Sequence, residues 1–197
     1  MRNKLFLSFP APDRKNFKRR AWSVLLTTAV DNIKFTDLIL DPFSEQDICA
    51  CFPTIEDFLS MMMEPVDSAF IALFQHQCEK DVFACTLSVF DYIIRHISEN
   101  SDNLLHQYIH LLTVNSCLSK YHMILNRPKR IISLFLAEEI DSPFIREKSQ
   151  HFKISVCSLI VNCLFWELEN SIKKPQYTMS YRDKLVDELD IIMRGCL

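Results

Sequence analysis

A chain of 197 residues that is 49% apolar and 24% charged, with a formal net charge of −3, is long enough to bury one hydrophobic core. The composition is too apolar for a disordered chain, and charged residues interrupt its apolar runs too often for a membrane protein. A protein that folds alone in water, with no membrane span, is therefore predicted.

Glycine is nearly absent. Gly195 is the single one, whereas average usage of about 7% would give roughly fourteen. Tight strand connections need this residue, and phosphate loops, dinucleotide fingerprints and nucleophile elbows need it at fixed positions. The sequence therefore predicts an all-α fold and excludes most nucleotide-dependent enzymes and the α/β-hydrolases.

Capping residues, prolines and apolar periodicity predict about nine helices. They would form a single all-helical domain over 14–197, preceded by an extended segment over 1–13. The first helix is predicted over 14–31, with its apolar face inward and a basic cluster on the opposite face. Short helices capped by Thr36, Ser44 and Thr54 are predicted between 36 and 63.

Later helices follow the same rules. One is predicted to begin at Pro65, a proline suited to a first helical position, and the next to span 81–98. One long helix or two abutting helices are expected over 103–125, and Pro128 and Ser142-Pro143 each mark a further start. The very apolar stretch 154–168 is too short to cross a membrane and predicts a helix that is buried on nearly all sides.

The last helix is predicted to begin after a capping serine, Ser180, and to end at Gly195 as a C-terminal cap. The linker 173–179 before it is expected to be a mobile loop. These assignments place the single glycine at a helix stop.

Two architectures remain open. Residues 85–89 and 157–161 share the pattern Cys-[Ser/Thr]-Leu-x-Val, at a separation of two periods of about 36 residues, which suits stacked helical pairs. Short apolar matches also arise by chance. We expect either a short solenoid of helical pairs, as in armadillo or HEAT proteins, or a compact orthogonal bundle, and the alternation of polar and very apolar helices favours the solenoid.

The eight cysteines lie mostly in apolar helical stretches, where free cysteine behaves as a small hydrophobe. The apolar run 5–9 is too short for a secretory signal and leads directly into Pro10. Reduced thiols, rather than a disulfide framework, and an intracellular location in the cytoplasm or nucleus are predicted.

No catalytic, cofactor or metal site is predicted. His106 and His110 have the spacing of two zinc ligands on one helix face, but Gln107 stands where a zinc protease needs a glutamate base. A structural metal site with His122 or Cys117 as a further ligand is an alternative to a plain polar helix face.

Two cysteine patterns are further candidates for a site. Cys49 and Cys51 are too close for a zinc knuckle, and no second pair follows them. Cys78 and His76 lie two residues apart, so on a helix they point away from each other and cannot form a nucleophile and its base. Neither pattern predicts chemistry.

The amino-terminal end is the strongest candidate for partner binding. Residues 1–20 have a net charge of +6, which leaves −9 for the rest of the chain. The cluster could be a nuclear import signal, a phosphate-contacting patch, a dock for an acidic protein surface, or the solvated face of the first helix. Its candidate binding residues are Arg14, Lys15, Lys18, Arg19 and Arg20.

A second candidate surface lies between the short helices, where Phe58, Met61, Met62 and Met63 could remain exposed and adapt to varied partners. The alternative is that these side chains fill the core. A smaller basic loop around Pro128 would matter only if it folded beside the amino-terminal cluster.

These observations favour a non-enzymatic protein–protein interaction module, an adaptor or regulatory subunit of a larger complex. The alternative is a factor that binds nucleic acid or a ribonucleoprotein, such as the ribosome, through the basic first helix. No feature of the sequence identifies the partner.

Overall fold

The computed structural model describes residues 4–77, 81–97, 103–115, 119–139 and 145–196. Within these ranges the regular structure is helical, and the one β-bridge pairs Leu40 with Phe43 in a turn. The all-α fold predicted from the scarcity of glycine is confirmed.

Ten α-helices are present in the described ranges, against about nine predicted. Three short 3-10 helices, Val30–Asn32, Phe35–Leu38 and Pro175–Tyr177, connect some of them. In chain order the α-helices are α1 Lys4–Ser8, α2 Ala11–Thr27, α3 Glu45–Cys51, α4 Ile55–Gln77, α5 Val82–Ile97, α6 Leu104–Val114, α7 His122–Leu125, α8 Arg127–Glu139, α9 Gln150–Lys173 and α10 Thr178–Cys196.

Side-chain caps fix where α3 and α4 begin. The backbone N–H of Asp47 donates to the Ser44 hydroxyl at 3.2 Å, and the Ser44 N–H donates to the Asp47 carboxylate at 3.0 Å, which completes a capping box. The Thr54 hydroxyl accepts from the Asp57 N–H at 3.1 Å. The predicted caps Ser44 and Thr54 are therefore confirmed, whereas Thr36 lies inside a 3-10 helix.

The extended segment predicted for 1–13 is wrong. Residues 4–8 form α1, and α2 begins at Ala11, directly after Pro10 and with Pro12 in its first turn. The side chain of Phe6 is only 3% exposed, so tertiary burial stabilises a helix that is too short to form by itself.

A helix start at Pro65 is also wrong, because α4 continues through this proline. Proline lacks the N–H that would bond to the carbonyl four residues earlier, and its ring disfavours a helix interior. Met63 and Val66, on either side, are both fully buried. Their packing offsets the unfavourable proline.

The start and the end of the last helix also differ from the prediction. α10 begins at Thr178, so Ser180 lies inside it, and the helix includes Gly195 without a positive φ. The expected loop 173–179 contains the end of α9 and a 3-10 helix. The predicted start at Ser142-Pro143 falls outside the described residues.

The chain divides into two compact units. Unit 1 comprises Met1–Pro65 and Val114–Leu125, and unit 2 comprises Val66–Thr113 and Asn126–Leu197. A single domain over 14–197 stays a prediction.

Unit 1 is built around a cluster of phenylalanine rings. The ring of Phe17 on α2 lies 5.5 Å from that of Phe6, 4.9 Å from Phe43 and 6.0 Å from Phe52, measured between centroids. Phe58 on α4 completes the cluster at 6.5 Å from Phe17. All five side chains are at most 3% exposed.

Hydrogen bonds join the two sequence segments of unit 1. The Val30 N–H donates to the Asn115 side-chain oxygen at 2.8 Å, and the Lys120 N–H donates to the Asp31 carboxylate at 3.2 Å. These bonds satisfy polar groups at the ends of short 3-10 and turn segments that have few backbone partners of their own.

Unit 2 is arranged around α9, which packs against α5, α8 and α10, while α5 also packs against α10. In a solenoid each repeat contacts only its neighbours along the chain. The contact between α5 and α9 therefore favours the compact bundle over the solenoid in unit 2. The two helices that carry the matching pentapeptides pack directly on each other, which does not fit an assignment to repeats two periods apart in a stack.

Ion pairs join distant helices of unit 2. Arg182 on α10 makes two hydrogen bonds to the Asp91 carboxylate on α5, at 2.7 and 2.9 Å. Arg127 contacts Asp67 at 2.6 Å. These pairs fix the register of neighbouring helices more than they add stability, because partly exposed ion pairs contribute little.

The helix α9 is less buried than predicted. Leu159 is 54% exposed and Trp166 is 60% exposed, seven residues apart on one face. Among the described helices, α9 alone is long and apolar enough to cross a membrane, a test that core helices of soluble proteins also pass. Its opposite side is packed against three other helices, so this length and composition give weak evidence for a span.

Replacement of Phe17 by alanine should lower the free energy of unfolding by about 3–5 kcal/mol, because it leaves a cavity among four rings. The measurement is urea denaturation followed by circular dichroism. Leu7→Ala is the control, since Leu7 is 61% exposed and its loss should change stability by less than about 0.5 kcal/mol. Equal effects of the two substitutions would contradict the assignment of Phe17 to the core.

Candidate partner-binding groove

A groove of about 530 Å³ opens on unit 1 between α1, α2 and the first half of α4. Its walls combine apolar side chains, three cations and one carboxylate. The lining residues are Phe6, Leu7, Ala11, Arg14, Lys15, Lys18, Met61, Glu64 and Pro65.

Helical periodicity directs three cations of α2 into this groove. Residues three or four apart lie on the same face of a helix, so Arg14, Lys15 and Lys18 share the face that begins with Ala11. Phe17, between them in sequence, is fully buried in the phenylalanine cluster. The buried ring thus orients the face that carries the cations.

The three cations are held differently. Arg14 is half-buried and its guanidinium donates to the Leu7 carbonyl oxygen at 3.3 Å, which ties α2 to the end of α1. Within the described part of the chain, Lys15 and Lys18 make no hydrogen bond or ion pair through their ammonium groups. With one carboxylate, Glu64, the lining has a net charge of +2.

The structure separates the predicted cluster of five basic residues into two groups. Arg19 and Arg20 are exposed but do not line the groove. Arg19 donates to the Asn16 side-chain oxygen at 3.4 Å. The two arginines therefore provide a natural comparison for the groove lysines on the same helix.

The predicted methionine-rich surface is wrong. Phe58, Met62 and Met63 are at most 1% exposed and belong to the core of unit 1. Met61 is 6% exposed and contributes to the wall of the groove. Burial follows from the long helix α4, because one face of a continuous helix packs inward where several short helices would have left gaps.

The apolar part of the groove is formed mainly by Leu7, which is 61% exposed, and by Pro65 and Met61. Phe6 is 3% exposed and directs its ring into the core, where it contacts Phe17. The lining thus provides an aliphatic contact surface and no exposed ring on which a base could stack.

The basic residues around Pro128, predicted as a loop, lie in the first turn of α8 and make contacts within unit 2. Arg127 pairs with Asp67, and the Lys129 ammonium lies 3.3 Å from Glu169 and 5.2 Å from the centroid of the Phe165 ring. Burial lowers the pKa of Lys129, and the nearby Glu169 carboxylate opposes that shift. Two of these cations are thus engaged with carboxylates of the same unit.

The histidine pair does not form a metal centre in the described structure. The ring centroids of His106 and His110 are 6.4 Å apart with an interplanar angle of 85°. Among the described residues, no three histidine, cysteine or acidic side chains are grouped so that they could hold a metal ion. Cys117, the further ligand considered from the sequence, lies outside the described residues.

Two thiols of α9 are poorly suited to nucleophilic chemistry. Burial raises the pKa of Cys157 to about 11 and that of Cys163 to about 12, so both remain protonated at neutral pH. Cys49 is exposed, whereas Cys51 is buried, so the structure does not bring them together as one site. Cys78, the other thiol considered, lies outside the described residues.

The expectation that all thiols are reduced is incomplete. Five cysteines are free, Cys49, Cys51, Cys157, Cys163 and Cys196. Cys85, in contrast, is disulfide-bonded.

Comparisons with known proteins add no function to this geometry. No family model matches the chain, and no curated protein or solved structure matches it either. The candidate site is therefore argued from its own residues.

Sequence reasoning found the three cations of the groove but missed α1, which forms one of its walls. The signal for α1 is the pair Phe6 and Phe9 just before Pro10, in an apolar run that is too short for a secretory signal. A short helix in front of a proline-started helix explains that pattern, because Phe6 packs on Phe17 and Phe9 packs on Phe43.

Arg14→Met should loosen α1 while the aliphatic part of the side chain is kept. Loss of a partly exposed hydrogen bond of about 0.5–1 kcal/mol corresponds to roughly two- to fivefold faster local opening. The measurement is hydrogen exchange of the Phe9 amide, which donates to the Phe6 carbonyl at 3.3 Å. Lys15→Met is the control and should leave exchange unchanged, and equal acceleration in both variants would contradict the role given to Arg14.

Proposed function

We propose that the chain is a non-enzymatic protein-interaction module, an adaptor or regulatory subunit of a larger complex, that receives an acidic segment of a partner protein in the groove of α1, α2 and α4. One observation carries the proposal: two lysines without a partner in the described structure, Lys15 and Lys18, lie beside the exposed side chain of Leu7. Charged and apolar recognition elements meet there.

The chemistry of the groove defines the partner. Carboxylates of the partner would face Lys15, Lys18 and the outer side of Arg14, while an aliphatic or aromatic side chain would cover Leu7 and Pro65. Charge complementarity speeds association and selects against basic partners, and the apolar contact contributes most of the affinity. The single carboxylate of the lining, Glu64, disfavours an occupant that is uniformly anionic.

A nucleic-acid or ribonucleoprotein ligand is the second candidate, supported by Arg19 and Arg20, which are exposed on the same helix. Against it, the groove has apolar walls, a carboxylate and no exposed ring for base stacking. A protein segment therefore fits the groove better.

An intracellular location, in the cytoplasm or nucleus, belongs to the same proposal. The five free thiols support it, and the disulfide of Cys85 argues against it.

The test is selection of a displayed library of random dodecapeptides on the full-length protein, followed by anisotropy measurements with the enriched peptides. Enriched sequences should combine aspartate or glutamate with a large apolar residue. Lys15→Ser with Lys18→Ser should weaken their binding by about tenfold or more, because two charge contacts together contribute about 1.4 kcal/mol. Arg19→Ser with Arg20→Ser removes the same charge outside the groove and should change binding by less than about twofold.

Three results would argue against the proposal: enriched peptides without acidic residues, equal losses in the two double variants, or no enrichment at all. A parallel titration with a labelled single-stranded RNA addresses the second candidate. Submicromolar RNA binding that falls steeply with salt and depends equally on both pairs of cations would favour the nucleic-acid function instead.

A further inference from the structure

A cavity of about 490 Å³ lies within unit 2, where the last turns of α5 and α9 meet the first turn of α10. One residue of α6, His106, also lines it. This cavity shares no lining residue with the groove of unit 1. Its volume falls within the range of about 300–1,000 Å³ that is typical of pockets for small molecules.

An ion pair fixes the positions of α5 and α10 beside this cavity. The Arg182 guanidinium donates two hydrogen bonds to the Asp91 carboxylate, at 2.7 and 2.9 Å. Residues three or four apart share one face of a helix. On α5, Asp91 lies one turn before the lining residues Ile94 and Arg95, and on α10, Arg182 lies one turn after the lining residue Thr178. The pair therefore holds together the two helices that supply opposite parts of the lining.

The connection between α9 and α10 forms another wall and is held by its own hydrogen bonds. The Lys174 N–H donates to the Asn170 carbonyl oxygen at 2.9 Å, and the Tyr177 N–H donates to the Lys174 carbonyl oxygen at 3.0 Å. The Thr178 hydroxyl donates to the Pro175 carbonyl oxygen at 2.8 Å. These bonds fix Pro175 in place, so this wall is formed without a ligand, and a preformed wall lowers the entropic cost of binding.

The cavity combines an apolar surface with a cation at its edge. Ile94, Ile172 and Pro175 provide the apolar surface, and the exposed guanidinium of Arg95 provides the cation. None of the described residues that line the cavity is acidic. A guanidinium has five N–H donors in a planar fork that matches the two oxygens of a carboxylate. Charge complementarity therefore favours an anionic ligand.

The remaining polar groups favour a ligand with a single charge. The Ser171 hydroxyl donates to the Glu167 carbonyl oxygen at 2.8 Å, and the Thr178 hydroxyl is used within the α9–α10 connection, so neither proton is available to an anion. Both α5 and α9 end at the cavity, and the carboxyl end of a helix carries a partial negative charge. A multiply charged phosphate is therefore disfavoured, and a carboxylate matches the one guanidinium.

We propose that this cavity of unit 2 binds a small amphipathic monocarboxylate. The carboxylate contacts Arg95, with the N–H of the His106 ring as a further donor, and the hydrocarbon chain covers Ile94, Ile172 and Pro175. Such a ligand contacts α5, α6, α9 and the α9–α10 connection at once. Because only the folded protein offers this cavity, the ligand stabilises the folded state as its concentration rises.

The test is an NMR titration of the full-length protein, labelled at its isoleucine methyl groups, with sodium octanoate below the concentration at which it forms micelles. The methyl signals of Ile94 and Ile172 should shift together and give one dissociation constant. The signal of Ile48, which is fully buried in unit 1, should not move. Octan-1-ol has the same chain without the charge and should bind about tenfold more weakly or worse, because it lacks the charge-assisted hydrogen bonds to Arg95.

Two matched variants test the role of the cation. Arg95→Met keeps most of the aliphatic length and removes the charge, so it should weaken octanoate binding by about tenfold or more and change octan-1-ol binding by less than about twofold. Lys173→Met removes the same charge from an exposed residue at the end of α9 that does not line the cavity. This control should change octanoate binding by less than about twofold.

The proposal would be overturned if octanoate left the Ile94 and Ile172 signals unmoved. Equal affinities for octanoate and octan-1-ol, or equal losses in Arg95→Met and Lys173→Met, would also refute it. If Arg95→Met does not fold, Arg95→Glu provides a second comparison at the same exposed position. It reverses the charge at the edge of the cavity and should favour octylammonium over octanoate, and an unchanged preference for octanoate would contradict the proposal.

Discussion

The packing of Phe17 against the rings of unit 1 is the contact on which the candidate groove depends. It fixes the rotation of α2, and the rotation of a helix determines which of its side chains face a neighbour and which face solvent. With Phe17 inward, Lys15 and Lys18 lie over the groove. The same contact recruits Phe6, and with it α1, so one apolar residue positions both a wall of the groove and its cations.

In unit 2, charged side chains pair with one another between helices. Its ion pairs, such as Arg182 with Asp91, each neutralise a partly buried charge and set the register of helices that are far apart in sequence. The exception is Glu167 on α9, whose Oε2 atom is buried and has no hydrogen-bond partner among the described residues. Burial raises the pKa of this carboxyl group, because an ionised carboxylate is unfavourable where water is excluded.

Much of the fold could be predicted from the sequence, because the scarcity of glycine and the capping residues Ser44 and Thr54 are local signals with local causes. The incorrect predictions concern features that depend on tertiary packing. Pro65 remains inside a helix because packing on both sides outweighs the lost hydrogen bond, and α1 exists because Phe6 is buried. Neither effect can be read from neighbouring residues, since each depends on which distant side chains provide the contact.

For the candidate site, too, local signals could be predicted from the sequence and tertiary effects could not. The basic residues of α2 were identifiable as a candidate from composition, but their separation into groove-facing Lys15 and Lys18 and outward-facing Arg19 required the helix phase and the position of α1. The prediction of an exposed methionine surface was wrong for a related reason, because the continuous helix α4 turns Met62 and Met63 inward. A charged cluster in a sequence thus indicates where a partner could bind, and the packed apolar residues between the charges determine which of them it can reach.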